Sequence, residues 1–235
     1  MRINRRRSVS YPFYMHYIYG SPYNSKAKCR SYDNNFSANL RTFGCYSHLV
    51  GLLNDELKSG QSVCQFGITF GSQIDETALT IGRSGIYNII DINSAEIKRL
   101  TAKHGKLYPQ ISFIRDNVAE ITPRATYDVV ISFMLLSMTP DSLKPQIINN
   151  ALKSLRVGGK AVFIDYHRPV WWHPLGKLLR TYYRLRYPFV DTLFSRSLSS
   201  FVSPELRSSF IWRRTLCFGG LFQKTIATRR EILTR

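Results

Sequence analysis

The sequence has few acidic residues, few cysteines and no long apolar run. Its 15 Asp and Glu residues face 33 Lys and Arg residues, which gives a formal net charge of +18 at pH 7. The four cysteines are scattered and include no Cys-x-x-Cys pair, which excludes a disulfide scaffold and a zinc finger and suits a reducing compartment. No uninterrupted apolar run reaches the roughly 18 residues that a membrane-spanning helix needs.

The excess positive charge lies in the two flanks of the chain. Residues 1–62 hold 9 Lys and Arg against 3 Asp and Glu, residues 63–167 hold 11 against 9, and residues 168–235 hold 13 against 3. Such flanks suit an anionic membrane surface or nucleic acid. We interpret residues 1–61 as a basic, aromatic N-terminal arm with helices, with a transit peptide as the alternative for its start. Residues 62–235 are expected to form a single domain.

From residue 62 onwards, short β-rich runs alternate with helical stretches. Strands are predicted at 62–67, 86–91, 111–116, 127–133 and 160–166, helices at 73–82, 94–104 and 141–155, and a final hairpin at 213–229. The segment "RVGGK" after Leu155 is predicted to end a helix and turn into the fifth strand. This pattern predicts an α/β protein with a Rossmann-like class I methyltransferase fold, in which a mostly parallel seven-stranded sheet ends in an antiparallel hairpin.

A glycine-containing loop follows the first predicted strand. In such folds ligands bind beyond the carboxyl ends of the strands. The S-adenosylmethionine signature has an acid followed by three alternating glycines, and the matching stretch here is "QFGITFG". Gln65 replaces the acid, Gly67 and Gly71 keep the outer glycines, and Thr69 takes the middle position. We predict that these four residues bind S-adenosylmethionine.

The next three strands also end in polar residues, which extend the predicted cofactor site. Asp91 ends the second strand, where its carboxylate is expected to accept both ribose hydroxyls, with Ile92 beside it. Asp116 and Asn117 follow the third strand and are expected to bind the adenine amino group. The same site is predicted to include Ser132. For Asp91 and Asp116 the alternative is a helix N-cap or loop role.

Three ionisable or phenolic residues end the fifth strand. Asp165, Tyr166 and His167 supply side chains that serve as metal ligands, general bases or donors to a carbonyl oxygen. The alternative is a structural role, such as capping the turn that follows.

An aromatic and basic segment comes next. We expect residues 168–205 to form a membrane-facing insertion, because a helix with an apolar stripe and only positive charge nearby is typical of the membrane interface. The alternative is a helix that packs on its own domain with solvated arginines.

The stretches "FIDYHRPVWWHPL", "YPFVDTLF" and "FGGLFQK" resemble the rhodoquinone-biosynthesis family RquA, which is related to class I methyltransferases. The family is also similar to this chain in having Gln at the position of Gln65 and in lacking the full glycine set. One feature departs from the family. After the fourth strand the family tends to carry a His-Glu pair, whereas this chain has Ser137 and Met138.

The resemblance implies that S-adenosylmethionine gives its amino group to ubiquinone in place of a methoxy group, with Mn²⁺ assisting. It further implies a peripheral membrane protein on the cytoplasmic face of a bacterial inner membrane, or alternatively in mitochondria. The implied manganese ligands are Asp165 and His167, and the implied quinone contacts are Tyr166, Trp171, Trp172 and His173.

In this scheme the catalytic residues are Gln65, Tyr166 and His167. A neutral amide beside the cofactor's amine avoids stabilising the unreactive ammonium form, as a carboxylate would. Three other functions compete with amino transfer. The first is methyl transfer to a quinone or another lipophilic acceptor, and the second is a non-catalytic membrane scaffold. The third is a nucleic-acid methyltransferase or binder; we expect no nucleic-acid partner, because "SFML" lacks the signature Asn-Pro-Pro-Tyr.

Overall fold

A computed structural model describes Pro12, Tyr14 and residues 33–231 of the 235-residue chain. The strands are β1 Ser62–Phe66, β2 Ile86–Asp91, β3 Ile111–Arg115, β4 Tyr127–Phe133, β5 Leu155–Tyr166, β6 Phe210–Cys217 and β7 Phe222–Arg229. Within residues 33–231 the α-helices are α1 Asn35–Arg41, α2 Tyr46–Asn54, α3 Gln73–Ile81, α4 Ser94–His104, α5 Lys144–Lys153, α6 Gly176–Arg186, α7 Asp191–Ser195 and α8 Pro204–Ser208. Single 3₁₀ turns lie at Leu136–Met138 and Leu198–Phe201.

The seven strands form one mixed sheet in the order β3-β2-β1-β4-β5-β7-β6. Strands β1 to β5 pair in parallel, whereas β7 runs antiparallel between β5 and β6. The predicted fold class, a mostly parallel seven-stranded sheet with a terminal antiparallel hairpin, is therefore confirmed. The strand order changes direction at β1, so the carboxyl ends of β1, β2 and β4 open a crevice at one edge.

Apolar side chains cover both faces of the sheet. Along β4 they alternate: Val129 and Ile131 belong to one core cluster and Val130 belongs to the other. The first cluster includes residues of α1 to α4 and of α6, whereas α5 contributes Ile147 and Leu152 to the second. Strands buried on both faces explain the nearly continuous apolar runs in the sequence.

One predicted boundary is wrong. The segment after α5 was expected to be a turn before a strand at 160, but β5 begins at Leu155, which pairs with Tyr127. The register then shifts, so that Val129 pairs with Lys160. The extra residues form a local irregularity within the strand, where Gly158 adopts a φ of 75° that favours glycine. The sequence "RVGGK" is thus a bulge in β5 and does not separate two elements.

The two helices before β1 pack onto the same core as the sheet. Leu49, Val50 and Leu53 of α2 are at most 1% exposed and belong to the first core cluster. The rest of the predicted arm, apart from Pro12 and Tyr14, lies outside the described residues, and the division at residue 62 stays a prediction. Within the part of the chain that is described, no helix is both long enough and apolar enough to cross a membrane.

Candidate cofactor and acceptor site

Two adjoining cavities lie at the carboxyl ends of the parallel strands. The smaller cavity has an empty volume of about 610 Å³ and is lined by residues that follow β1, β2 and β4. The larger cavity has an empty volume of about 840 Å³ and is lined by parts of α1, of the loop after β1 and of the end of α6. They share five wall residues, Ile68, Phe70, Phe133, Met134 and Met138. Two ligands bound here would therefore meet across a common wall.

The loop from Gly67 to Ser72, called here the glycine loop, contains two glycines in the left-handed region. Gly67 has a φ of 84° and Gly71 a φ of 91°. A Cβ atom on Gly71 would lie only 2.7 Å from Oη of Tyr46 and 3.0 Å from Oδ1 of Asn35. Both backbone conformation and space thus require glycine at position 71. Gly67 and the backbone of Ile68 face the smaller cavity, as expected for a loop that lies against a ligand.

Gln65 and Thr69 lie in a buried polar network under the glycine loop. The carboxamide of Gln65 donates to the carbonyl oxygen of Gly67 at 3.0 Å, and exchanges two hydrogen bonds of 3.0 Å with Gln73. The hydroxyl of Tyr87 donates to Gln65, and that of Thr69 donates to Gln73. Gln65 is fully buried and lines neither cavity, while Thr69 reaches the larger one.

This arrangement gives Gln65 a positioning role in the glycine loop. A direct contact between Gln65 and the cofactor's amine stays a prediction. The partners Gln73 and Tyr87 could not be predicted from the sequence, because they come from α3 and β2, which only the fold brings next to Gln65.

Asp91 connects the glycine loop to the turn after β2. One carboxylate oxygen accepts the backbone N–H of Ile68 at 2.7 Å, and the other accepts that of Asn93 at 2.7 Å. Burial raises the pKa of Asp91 despite these two donors. Asp91 also lines the smaller cavity. Contact between Asp91 and the ribose hydroxyls stays a prediction.

Contacts from the N-terminal helices hold the outer half of the glycine loop, and the sequence did not reveal them. Asp33 accepts the N–H of Gly71 at 3.1 Å and forms ion pairs with Arg99 and Lys103 at 2.8 and 2.9 Å. Although burial opposes it, these two cations lower the pKa of Asp33 below its usual value. The hydroxyl of Tyr46 donates to the carbonyl oxygen of Phe70 at 2.8 Å.

Besides Gln65 and Gly71, which line neither cavity, four more of the predicted cofactor contacts lie apart from the two cavities. Ile92 follows β2 but lines neither cavity. Asp116 accepts the N–H of Asn117 at 2.8 Å, and Asn117 in turn accepts the N–H of Ala119 at 3.1 Å, so both residues shape the turn after β3. Ser132 is 2% exposed within the sheet. Their contacts with a cofactor stay predictions, and the turn geometry matches the alternative of a loop role for Asp116.

Tyr166 forms part of the wall of the larger cavity within a cluster of aromatic rings. Its ring stacks on Tyr187 with a centroid distance of 4.5 Å and lies 4.8 Å from Tyr183 and 5.3 Å from Phe222. Its hydroxyl donates to the hydroxyl of Tyr187 at 2.8 Å. Burial and the neighbouring tyrosine raise the pKa of Tyr166 well above its usual value, so its hydroxyl stays protonated at neutral pH. Contact with a substrate remains a prediction for this residue.

Asp165 caps the 3₁₀ turn that follows β4. Its carboxylate accepts the N–H groups of Leu136 and Ser137 at 2.8 and 3.2 Å and that of Tyr166 at 2.8 Å. It is 1% exposed, and burial raises its pKa. The turn it caps contains Met138, which lines both cavities. The alternative of a structural cap therefore describes the contacts of Asp165.

His167 joins the end of β5 to the β6–β7 turn. Its Nδ1 lies 3.0 Å from the carbonyl oxygen of Arg168 and 3.3 Å from that of Gly220, so this nitrogen carries the hydrogen. Burial lowers the pKa of His167.

Manganese does not fit the residues that the structure describes. Among Pro12, Tyr14 and residues 33–231, no group of three or more His, Cys, Asp or Glu side chains is arranged to hold a metal ion. The expected ligands Asp165 and His167 already bind backbone N–H and carbonyl groups, respectively. The expectation of Mn²⁺ is therefore unsupported, and no step below depends on it.

The segment before α6 exposes its aromatic residues. Trp171 is 95% exposed and Trp172 63% exposed. His173 accepts the N–H of Leu175 at 3.2 Å and packs against Gly219, where a Cβ atom would lie 2.8 Å from its ring. None of these three residues lines either cavity, so their predicted contact with a substrate stays untested.

One face of α6 packs on the domain while the other remains exposed. Leu179 and Tyr183 are buried in the first core cluster, as the alternative of a packed helix predicts. Leu178 and Leu185 are 67% and 83% exposed, as an interfacial helix requires. Each alternative therefore describes one side of the helix.

Several solved structures with the same architecture are methyltransferases. One is an O-methyltransferase family protein from Burkholderia thailandensis, with a TM-score of 0.65 and 12% identity over 92% of this chain and 64% of that chain. Another is the N-methyltransferase NodS from Bradyrhizobium japonicum in complex with S-adenosyl-L-homocysteine, with a TM-score of 0.61 and 16% identity over 89% and 95%. This chain has the class I methyltransferase fold.

A third similar structure is a SAM-dependent methyltransferase from Aquifex aeolicus. Its TM-score is 0.58, with 13% identity over 87% of this chain and 98% of that chain. No protein-family model and no curated protein matches the sequence. At these identities the class I methyltransferase fold is shared while the reaction is left open, and no comparison supports the RquA family in particular.

Proposed function

We propose that this protein is a transferase that uses S-adenosylmethionine and acts on a lipophilic acceptor taken from a membrane surface. The observation that carries the proposal is the pair of adjoining cavities. The smaller one has a strained glycine loop and a carboxylate at the end of β2, and the larger one has a mainly aromatic and apolar wall. The two cavities suit a nucleoside and a ring-bearing acceptor, respectively.

The residues of the smaller cavity fit S-adenosylmethionine. A Cβ atom on Gly67 would lie 3.1 Å from the side chain of Leu135, so glycine keeps this wall open. Asp91 would hold the ribose hydroxyls, and the backbone at Gly67 and Ile68 would lie along the ligand. When bound, S-adenosylmethionine supplies an activated methyl group on a positively charged sulfur, and it also carries an amino group.

The exposed surface of α6 supports uptake from a bilayer. Five exposed apolar residues, called here the α6 patch, are Trp171, Trp172, Leu175, Leu178 and Leu185. Lys177, Arg180 and Arg184 are exposed on the same helix. An apolar surface with basic side chains is the composition that binds anionic lipid interfaces.

The helix that carries most of the α6 patch also reaches the larger cavity at its C-terminal end. Arg186 and Tyr187, at the end of α6, line that cavity. From the other side Phe43, which follows α1, contacts the ring of Tyr182 at a centroid distance of 5.5 Å. A lipophilic acceptor would therefore reach the cavity without leaving the surface. The proposal therefore includes a peripheral membrane location, and the resemblance to RquA adds the cytoplasmic face of a bacterial inner membrane or mitochondria.

The finer form of the proposal comes from the resemblance to RquA. In that form the acceptor is ubiquinone and the product carries an amino group in place of a methoxy group. The second candidate is methyl transfer to a lipophilic acceptor, which the reactions named for the similar solved structures favour.

One labelling experiment separates the two reactions. Purified protein is incubated with ubiquinone, or with a quinone that carries a free ring hydroxyl, and with S-adenosylmethionine that carries ¹³C in its methyl group and ¹⁵N in its amino group. Mass spectrometry of the extracted lipid then shows which label enters the product. Nitrogen label alone establishes amino transfer, and carbon label alone establishes methyl transfer.

Binding of S-adenosylhomocysteine, measured by calorimetry, tests the broader proposal. A protein that binds neither this nucleoside nor S-adenosylmethionine is the non-catalytic scaffold, and the proposal is then wrong. Asp91→Asn serves as the matched variant, since it keeps the shape of the side chain but removes its charge. We expect it to weaken binding about tenfold or more, because a charged acceptor is lost.

A further inference from the structure

The larger cavity has cationic groups and hydroxyl donors in its wall. Arg41 enters it from the last residue of α1 and Arg186 from the last residue of α6. Each guanidinium lies against an aromatic ring, Arg41 at 5.5 Å from the centroid of Phe70 and Arg186 at 5.8 Å from that of Tyr187. These stacking contacts place two positive charges in the wall of the larger cavity.

No Asp or Glu lines the larger cavity among the residues that the structure describes. The sequence before Asp33 contains no Asp or Glu either, so the N-terminal residues add no side-chain carboxylate. A ligand in this cavity therefore meets positive charge without a neighbouring carboxylate of the wall. In a partly buried site such a field favours an anion.

The tyrosines add hydroxyl donors at the same cavity. Tyr166 donates its hydrogen to the oxygen of Tyr187, so the hydrogen of the Tyr187 hydroxyl remains to be donated. Burial raises the pKa of Tyr187 as well as that of Tyr166, and both hydroxyls stay protonated at neutral pH. A chain of two hydroxyls strengthens the outer donor, and its preferred acceptor is a negatively charged oxygen.

We infer, on the basis of the proposed function and in favour of its second candidate, methyl transfer, that the acceptor is an amphipathic anion, which the neutral ubiquinone of the finer form is not. An oxygen of phenolate, enolate or carboxylate type lies between Arg41, Arg186 and the hydroxyl of Tyr187, and the apolar body extends towards the α6 patch. The aromatic wall formed by Phe70, Phe133 and Tyr166 favours an anionic oxygen that is attached to a ring. An acceptor that is already an anion has no proton to lose before it reacts.

A pair of matched probes tests the inference by equilibrium binding. The first is a 3-octyl-2-hydroxy-1,4-naphthoquinone, whose hydroxyl is ionised at neutral pH, and the second is its neutral 2-methoxy ether. Calorimetry with the full chain, saturated with S-adenosylhomocysteine, measures both affinities. We expect the anion to bind about tenfold more tightly than the ether, and the preference to shrink as salt is added.

Two arginine variants locate the anion. Arg41→Gln and Arg186→Gln are each expected to reduce the affinity for the anion about fivefold to tenfold, and to change that for the ether less than about twofold. Arg83→Gln, an exposed arginine after α3, is the matched control and should change neither affinity. Thermal melting of each variant shows that the fold is retained.

Further probes separate the sources of negative charge. 4-Octylbenzoate and its methyl ester repeat the comparison with a carboxylate, and tighter binding of the hydroxynaphthoquinone identifies the ring oxyanion. Equal affinity for anion and ether, or an equal loss of both in the arginine variants, overturns the inference.

Two outcomes distinguish this inference from the proposed function. Binding of S-adenosylhomocysteine without any preference for the anion contradicts the inference alone. Absence of nucleoside binding contradicts the proposed function. The preference for the anion can still be measured then, with protein to which no S-adenosylhomocysteine is bound. If His16→Ala, outside the described residues, abolishes the preference for the anion while the arginine variants retain it, the assignment to Arg41 and Arg186 is wrong.

Discussion

The two cavities share a wall but are built by different interactions. Around the smaller cavity, hydrogen bonds from Gln65, Asp91 and Asp33 hold the backbone of the glycine loop at several points. Around the larger cavity, stacked rings of Tyr166, Tyr187 and neighbouring residues form the wall. Hydrogen bonds fix atoms in one geometry, whereas apolar packing tolerates ligands of varied shape. The contrast suits an invariant nucleoside beside a variable acceptor.

The largest effect is expected for Gly71→Ala. The new Cβ would lie 2.7 Å from Oη of Tyr46, and the alanine backbone would have to adopt a φ of 91°. We expect a loss of about 3 kcal/mol in the free energy of unfolding and a loss of nucleoside binding. Denaturant unfolding and calorimetry measure the two quantities.

Gly44→Ala is the matched control for this substitution. Its φ is 81° but its Cβ would have nothing within 4 Å, so it carries the backbone strain without the overlap. We expect a loss of about 1 kcal/mol and unchanged nucleoside binding. Equal effects of the two variants would show that the overlap with Tyr46 is unimportant.

Gln65→Glu tests whether the amide of Gln65 serves the buried network under the glycine loop or the amine of the cofactor. The network loses the donor to the carbonyl oxygen of Gly67, and we expect a loss of about 2 kcal/mol in the free energy of unfolding. Nucleoside binding and group transfer should fall together. A selective loss of amino transfer, with binding intact, would instead support a direct role of the amide. Gln65→Met, which lacks the charge, separates the two effects.

The α6 patch is tested by its most exposed aromatic pair. Trp171→Ala combined with Trp172→Ala should weaken binding to vesicles that contain anionic lipid about tenfold, because two interfacial anchors are removed. Leu79→Ala is the matched control, since Leu79 is 67% exposed on α3. Sedimentation with vesicles measures the partition. Unchanged binding of the double variant would contradict the docking surface.

Tyr166→Phe tests the aromatic wall of the larger cavity without changing the packing of its rings. It removes the hydroxyl that donates to Tyr187, and we expect a loss of about 1 kcal/mol in the free energy of unfolding. Acceptor affinity should fall while nucleoside affinity stays constant, since Tyr166 lines only the larger cavity. Calorimetry with each ligand separately provides the measurement, and a parallel loss of both would show that the two cavities are coupled through this residue.

The smallest effect depends on pH and involves Asp33. Its pKa is lower in the folded protein, because Arg99 and Lys103 outweigh burial. Its stabilising contribution is therefore present above the unfolded pKa of about 3.9 and is lost as the pH falls through the lower folded value. Asp33→Asn should cost about 1 kcal/mol at pH 7, and the difference from the parent should shrink below about pH 4.

Denaturant unfolding across this pH range measures the effect. Asp55→Asn, at an exposed position on α2's C-terminal side, is the control and should show no such trend. A cost of Asp33→Asn that is independent of pH would contradict the assigned ion pairs.

The alternation of β-rich and helical runs in the sequence predicted the fold. A sheet that is buried on both faces needs strands with nearly continuous apolar runs, and such runs are visible in the local sequence. The same alternation also indicated that Gly67 and Asp91 lie together at one edge of the sheet, since strand ends in a parallel sheet meet there, and both residues line the smaller cavity. The metal expectation failed because Asp165 and His167 satisfy backbone groups that only folding brings near them. Boundaries such as that of β5 depend on pairing with a distant strand, which no local pattern encodes.

The sequence by itself thus determined the architecture and the edge of the sheet at which the two cavities lie. Only the tertiary structure decided which polar residues face the open space. Gln65 and Asp91 both end strands beside the glycine loop, yet Gln65 is sealed under that loop and Asp91 lines the smaller cavity. Arg41 and Arg186 are far apart in sequence and became a pair only when α1 and α6 packed around the larger cavity. The direction of a side chain and its long-range contacts are properties of the packed chain, and they decide which residues can contact a ligand.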